Sequence, residues 1–166
     1  MKIQEVILLF EYDYWANRKL LGASTKLSQD QFAAPSNFPH HSLRGTFVHI
    51  LDAEYGWRML CESGIETKDL TEAEFPTVEA LEKRWREEET AMRSYLSALK
   101  DDDLSGIIRY TTLNGIKRER ILWQCLFHVV NHGTQHRSEA AAILTDFNQS
   151  PGDFDFSMFT LEKKNN

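Results

Sequence analysis

Leu126-Phe127-His128-Val129-Val130-Asn131-His132-Gly133-Thr134-Gln135-His136-Arg137-Ser138-Glu139-Ala140-Ala141-Ala142 is the stretch on which both fold and chemistry turn. Its apolar residues recur at helical spacing, and His128, His132 and His136 follow one another at intervals of four. On a helix, that interval stacks three imidazoles along one side, each about 6 Å above the last and rotated by about 40°. One metal ion reaches two such neighbours. It does not reach all three, because the outer pair lies about 12 Å apart along the axis. The segment therefore offers His128 with His132, or His132 with His136, and either pair needs a third ligand from elsewhere.

Working outward, apolar positions from Gln4 to about Leu27 (Val6, Leu9, Phe10, Trp15, Leu20, Leu21) predict a first amphipathic helix ending near Gly22 to Ser24 or one turn later. The aromatics Phe10, Tyr12, Tyr14 and Trp15 read as core. Ser28 to His41 has loop composition, with Ser28-x-x-Gln31 able to start one helical turn. His40 and His41 read as exposed loop histidines.

Ser42 is a suitable N-cap for a second helix running to about Ser63, with Gly64 as its stop. His49 lies inside it, followed one turn later by Asp52. A third helix is predicted from Val78 to about Leu99, with Lys83, Arg84 and Arg86 to Glu89 on a solvated face. Leu113-Asn114-Gly115 between Ile107–Thr112 and Ile116–Arg118 predicts a short β-hairpin. The last long helix is expected from about Arg118 to Thr145, and an apolar tail containing Phe154, Phe156, Met158, Phe159 and Leu161 is expected to cover the bundle. The fold class is thus all-α, a four-helix bundle with a hairpin before its last helix, in a single domain spanning residues 1–166.

With 19 basic and 25 acidic side chains the chain carries a net charge of −6. That argues against a nucleic-acid partner, which calls for a basic face. Two cysteines, Cys61 and Cys125, form no C-x-x-C pair and suggest no disulfide framework. The apolar run Val6 to Phe10 is too short and too closely flanked by acid for a signal peptide or membrane span, so a cytoplasmic location is expected.

In such a bundle, facing helices direct ligands to a shared interior. His49 with His132 and His136 would make a three-histidine site for a divalent transition metal, and imidazoles alone do not select among zinc, nickel, iron or copper. Three protein ligands leave a position for water or substrate, as in catalytic sites. The Glu-x-x-His pairs of di-iron bundles are absent, since Thr46, Cys125, Val129 and Gly133 stand three before His49, His128, His132 and His136. His-Glu-x-x-His is absent as well.

Four segments carry a resemblance to a known family: Tyr14-Trp15-Ala16-Asn17; Ser42 to Ile50 with Ala53-Glu54; His128 to Arg137; and Pro151-Gly152-Asp153-Phe154-Asp155-Phe156. Together they resemble the DinB/YfiT-like family of metal-dependent bundle proteins over nearly the whole chain. The resemblance implies an up-down-down-up bundle, often a homodimer, with a divalent metal held by His49, His132 and His136 and with His128 as a neighbour. Some relatives look like S-transferases using low-molecular-weight thiols, which implies a metal-activated thiol and an electrophilic small molecule as substrates. A non-enzymatic metal-binding or dimeric stress-response protein is the alternative. Asp52, Glu54 and Glu139 are candidate supporting groups or bases. Ser138-Glu139 departs from the Gly-Gln that commonly follows His-Arg in the family, which leaves the ligands intact and alters the pocket beside them.

Overall fold

A computed structural model describes residues 1–164; the last two positions of the expected 1–166 domain lie outside the described residues. Four long helices form the body: α1 (Ile3–Ser24), α3 (Leu43–Ser63), α4 (Val78–Ala98) and α5 (Leu122–Asp146). Between and after them lie a one-turn α2 (Gln29–Phe32), the hairpin β1 (Ile107–Thr111) and β2 (Lys117–Ile121), and a terminal α6 (Phe156–Lys164). No helix among the described residues is long and apolar enough to cross a membrane.

The boundaries follow from local chemistry. The Ser42 hydroxyl accepts the Gly45 N–H at 2.8 Å and caps α3. Gly64 ends it in the left-handed conformation (φ 69°), donating its N–H to Leu60. Ser28 and Gln31 form a reciprocal capping box over α2, with Ser28 N–H to Gln31 Oε1 at 2.9 Å. In the hairpin, Thr111 faces Lys117 and Ile107 faces Ile121, and Gly115 takes the positive φ of 80° that the turn requires.

One boundary differs from expectation. Residues 118–121, expected in the last helix, belong to β2, and α5 starts at Leu122. Arg118, Glu119 and Arg120 pair across the hairpin, with Arg109 Nε donating to Glu119 at 2.7 Å, so cross-strand bonding takes a segment that has no apolar face to bury as a helix.

Side-chain pairs between helices give the topology. Arg93 of α4 binds Glu11 of α1 while Arg18 pairs with Glu89, so α1 and α4 run antiparallel. Glu54 meets Trp85 and Arg58 meets Glu88, so α3 and α4 run parallel. Trp57 packs on His128 and His49 on His132, so α3 and α5 run antiparallel. The order is up-down-down-up, with α5 flanked by α1 and α3. α6 covers one end: Phe159 packs on Tyr12 and Trp15, and Trp15 Nε1 donates to Glu162 at 2.8 Å.

The core falls into two apolar blocks. One gathers Leu20, Phe32, Leu43, Phe47, Leu51, Leu81, Trp85 and Leu144; the other gathers Val6, Phe10, Tyr14, Met92, Leu96, Leu126, Val130 and Phe159. The early aromatics Phe10, Tyr12 and Tyr14 are buried there, as their spacing predicts. Between the blocks a polar layer crosses the bundle. Arg137 of α5, fully buried, donates to Asp13 at 2.5 Å, to Asn17 at 3.0 Å and to Thr134 at 2.9 Å. Burial pushes the Asp13 and Glu54 carboxyls above their usual range, and for Asp13 the Arg137 charge opposes that shift. Gly133 is required beside this pair, because a Cβ there would lie 2.7 Å from Arg137 Nη1 and 2.9 Å from Asp13 Oδ1.

Removing one partner of a buried pair leaves the other uncompensated. Arg137→Met is therefore expected to destabilise the fold by about 3–5 kcal/mol in urea denaturation. Arg109→Ala, which removes an ion pair whose side chains are 67% and 61% exposed, should change it by less than about 1 kcal/mol.

Candidate metal centre

α3 and α5 meet along the seam that carries the histidines. Successive residues on a helix turn by about 100°, so while Gly133 and Arg137 face α1, His132 and His136 face α3. The His49 and His132 rings meet with Nε2 atoms 3.0 Å apart, and the ring of His136 lies 4.7 Å from that of His49 and 4.4 Å from that of His132, centre to centre. The three sequence-predicted ligands are thus neighbours in space.

A fourth imidazole, which the sequence reading placed among exposed loop residues, joins them. His40 is half-buried, and its ring stacks on His49 at 3.8 Å with an interplanar angle of 19°. Ring nitrogens of His40, His49 and His136 all lie within 4.8 Å of one another, a spacing able to hold a metal ion. His41 is exposed, as expected.

The placement of His40 is built by the segment before α3. His41 adopts a left-handed backbone (φ 61°), its carbonyl accepts the Ser36 N–H, and its N–H donates to Phe38. The loop can close onto the first turn of α3 because Gly45 has no Cβ; one there would overlap the His40 carbonyl oxygen. The available sequence signal was Gly45 itself, a helix-disfavouring residue three positions after an N-cap.

The donor set fits a divalent transition metal. With metal–nitrogen bonds of about 2.1 Å, two ligating nitrogens sit about 3.0 Å apart at a right angle and about 3.4 Å apart at the tetrahedral angle. The His49–His132 spacing matches one shared ion. Burial, reinforced by neighbouring imidazoles, lowers the pKa of His49 and of His132 to about 4, which keeps both neutral with lone pairs free to bind. His136 is buried, and its Nδ1 lies 2.8 Å from Glu139 Oε2. With Nδ1–H donating to that carboxylate, Nε2 would be left free to bind an ion, as in carboxylate-supported histidine ligands.

The other candidates have separate places. His128 packs on Trp57 with ring centres 5.1 Å apart, further along the seam. Asp52 accepts the Leu70 N–H at 2.7 Å and holds the loop over the site. Glu54 accepts Trp85 Nε1–H at 2.9 Å within the buried polar layer. Cys61 and Cys125 are free thiols. Beside His40 and His49 opens a cleft of about 320 Å³, lined also by Pro39, Val48, Asp52 and Glu72; His132 and His136 do not line it.

The DinB family model matches residues 1–164, and the chain belongs to the DinB family. Its fold is similar to the crystal structure of a DinB-like protein from Bacillus cereus, with a TM-score of 0.70 at 18% identity over 89% of this chain and 93% of that one. No curated protein matches.

Two outcomes follow from the geometry. Glu139→Ala frees the His136 ring and should weaken metal binding about 10–100-fold in a competition titration, with little change in the circular dichroism spectrum. The second concerns the metal-free protein. The folded pKa of His49 and of His132, about 4, lies below the ordinary value of 6.5. Above pH 6.5 both are neutral whether folded or unfolded; as pH falls from 6.5 toward 4 the unfolded chain gains protons that the folded one refuses, and stability declines. Thermal melts over that window should show the decline, and a His49→Gln/His132→Gln variant should show a shallower one.

Proposed function

We propose that the chain is a metal-dependent enzyme that activates a low-molecular-weight thiol for transfer to an electrophilic small molecule, with a zinc, nickel or iron ion held by His49, His132 and His136. The observation that carries this reading is a cluster of three imidazoles of which one, His49, lines an open cleft. Two of its nitrogens stand 3.0 Å apart, and a third ring is held by Glu139. A site meant only to fasten α3 to α5 has no need of a cleft, whereas an incomplete protein shell facing one leaves room for an exogenous ligand.

When bound, the ion acts as a Lewis acid that favours loss of the thiol proton near neutral pH. His49 and His132, neutral through burial, direct their lone pairs to it, and Glu139 sets the orientation of His136. His40, stacked on His49, closes the side toward the loop and keeps water from that face. In the transfer itself the thiol gives its proton to solvent, a sulfur–carbon bond forms, and the leaving group departs from that carbon with its electron pair. The proposal includes a homodimer, which the family resemblance implies, and a cytoplasmic location, for which the short, acid-flanked apolar run Val6 to Phe10 is the support.

The test is thiol consumption with a haloarene or epoxide, across several thiols, on metal-loaded and chelator-stripped protein. Turnover is expected only with metal. His132→Ala should abolish it together with metal binding, and His40→Ala should retain most of the metal. Absence of metal-dependent turnover across the thiols contradicts the enzyme reading. A His40→Ala variant that loses metal while His132→Ala keeps it moves the ion to His40, His49 and His136.

A further inference from the structure

The cleft beside His40 and His49 has a neighbour. Along α3 lies a second space of about 240 Å³, walled by Asp52, Trp57, Glu66, Asp69 and Tyr110; Asp52 and Asp69 line both. The hairpin closes over this second space. Ile65 bridges to Thr111, the Leu113 N–H donates to Glu66, and Tyr110 of β1 forms part of the wall.

The lining has a marked chemistry. Four carboxylates, Asp52, Glu66, Asp69 and Glu72, face the two spaces, and neither is lined by a lysine or arginine. Glu72 alone is neutralised by a cation, through Arg44 Nε at 2.9 Å. Asp52 and Glu66 accept only backbone N–H groups, and Asp69 has no hydrogen bond or ion pair among the described residues. Two aromatic rings, Trp57 and Tyr110, complete the walls, and the His128 ring packs against both Trp57 and His132. Carboxylates beside aromatic faces form a receptor for an organic cation, which gains from both charge and ring quadrupole.

The spacing suits a molecule engaged at both ends. Asp52 stands one helical turn beyond His49, about 5 Å along the axis, and Trp57 about 12 Å beyond it. Resting on the thiol-activating function proposed above, we propose that the thiol used by this centre carries a cationic arm, an ammonium or quaternary ammonium group, seated between Asp52, Glu66, Asp69 and the faces of Trp57 and Tyr110. Thiols of net negative charge, glutathione among them, meet repulsion on the same walls.

The experiment uses the full-length protein loaded with cobalt(II), whose absorption changes when a sulfur ligand binds. Two thiols of matched length, 6-aminohexane-1-thiol and 6-mercaptohexanoate, whose chains are long enough to carry the charged end from the metal toward Trp57 and Tyr110, are titrated into the wild type and into an Asp69→Asn/Glu66→Gln variant. The two thiols differ in acidity, so the quantity read is the ratio of their half-saturation concentrations and how that ratio changes in the variant. The wild type should favour 6-aminohexane-1-thiol, and the variant should lose about tenfold of that preference while binding cobalt as before. Raising the salt concentration should erode the wild-type preference and leave the variant's nearly constant.

A ratio that is the same in wild type and variant, or a wild type that favours 6-mercaptohexanoate, overturns the cationic-arm proposal while leaving thiol activation standing. No spectral response to either thiol in cobalt-loaded protein overturns thiol activation, and the arm proposal with it.

Discussion

The buried ion pair between Asp13 and Arg137 sets the rotation of α5, and the candidate site depends on that rotation. Arg137 is the residue after His136, and Gly133 the residue after His132. Pinning the guanidinium against α1 therefore turns the two imidazoles toward α3, about 100° around the helix. The energetic cost of burying a charge is met by Asp13, Asn17 and Thr134, which together satisfy much of its donor fork. A hydrophobic pair at the same level would pack α1 on α5 with less directional demand, and the angular position of His132 and His136 would be less tightly defined.

The polar layer also explains why the bundle divides into two apolar blocks. On α1 the break falls around Asp13 and Asn17, on α3 at Glu54, on α4 at Glu88 and on α5 at Gly133 and Arg137. The histidines stand at about this same level, on the outer seam between α3 and α5. A metal ion held there would be braced from within by hydrogen-bonded side chains of fixed geometry, with the cleft reaching it beside His49. Membership of the DinB family rests on the match over residues 1–164, and the low identity to the Bacillus cereus structure confines that comparison to the fold.

Much of the architecture was legible because local chemistry decides it. The Ser42 cap, the Gly64 stop, the Ser28-Gln31 box and the Asn114-Gly115 turn each act within a few residues, and each appears where the sequence places it. The start of α5 was misread because Arg118-Glu119-Arg120 suits a solvated helix as well as an exposed strand, and only pairing with β1 distinguishes them. For the site, the four-residue spacing on α5 left His128 with His132 and His132 with His136 both open, the ligand shortage pointed to His49, and the family resemblance selected His136. His40 was missed because its position comes from a loop folding back over α3, a contact that periodicity does not encode. The separate roles of Asp52 and Glu54 were hidden for a similar reason: their partners, Leu70 and Trp85, are 18 and 31 residues away.

The central claim is that α3 and α5 jointly hold one divalent ion. Elemental analysis of the purified protein beside His49→Ala and His128→Ala variants tests it most directly. The account predicts a stoichiometric transition metal in the wild type and in His128→Ala, and its loss in His49→Ala. Undiminished metal in His49→Ala would remove α3 from the site and contradict the account.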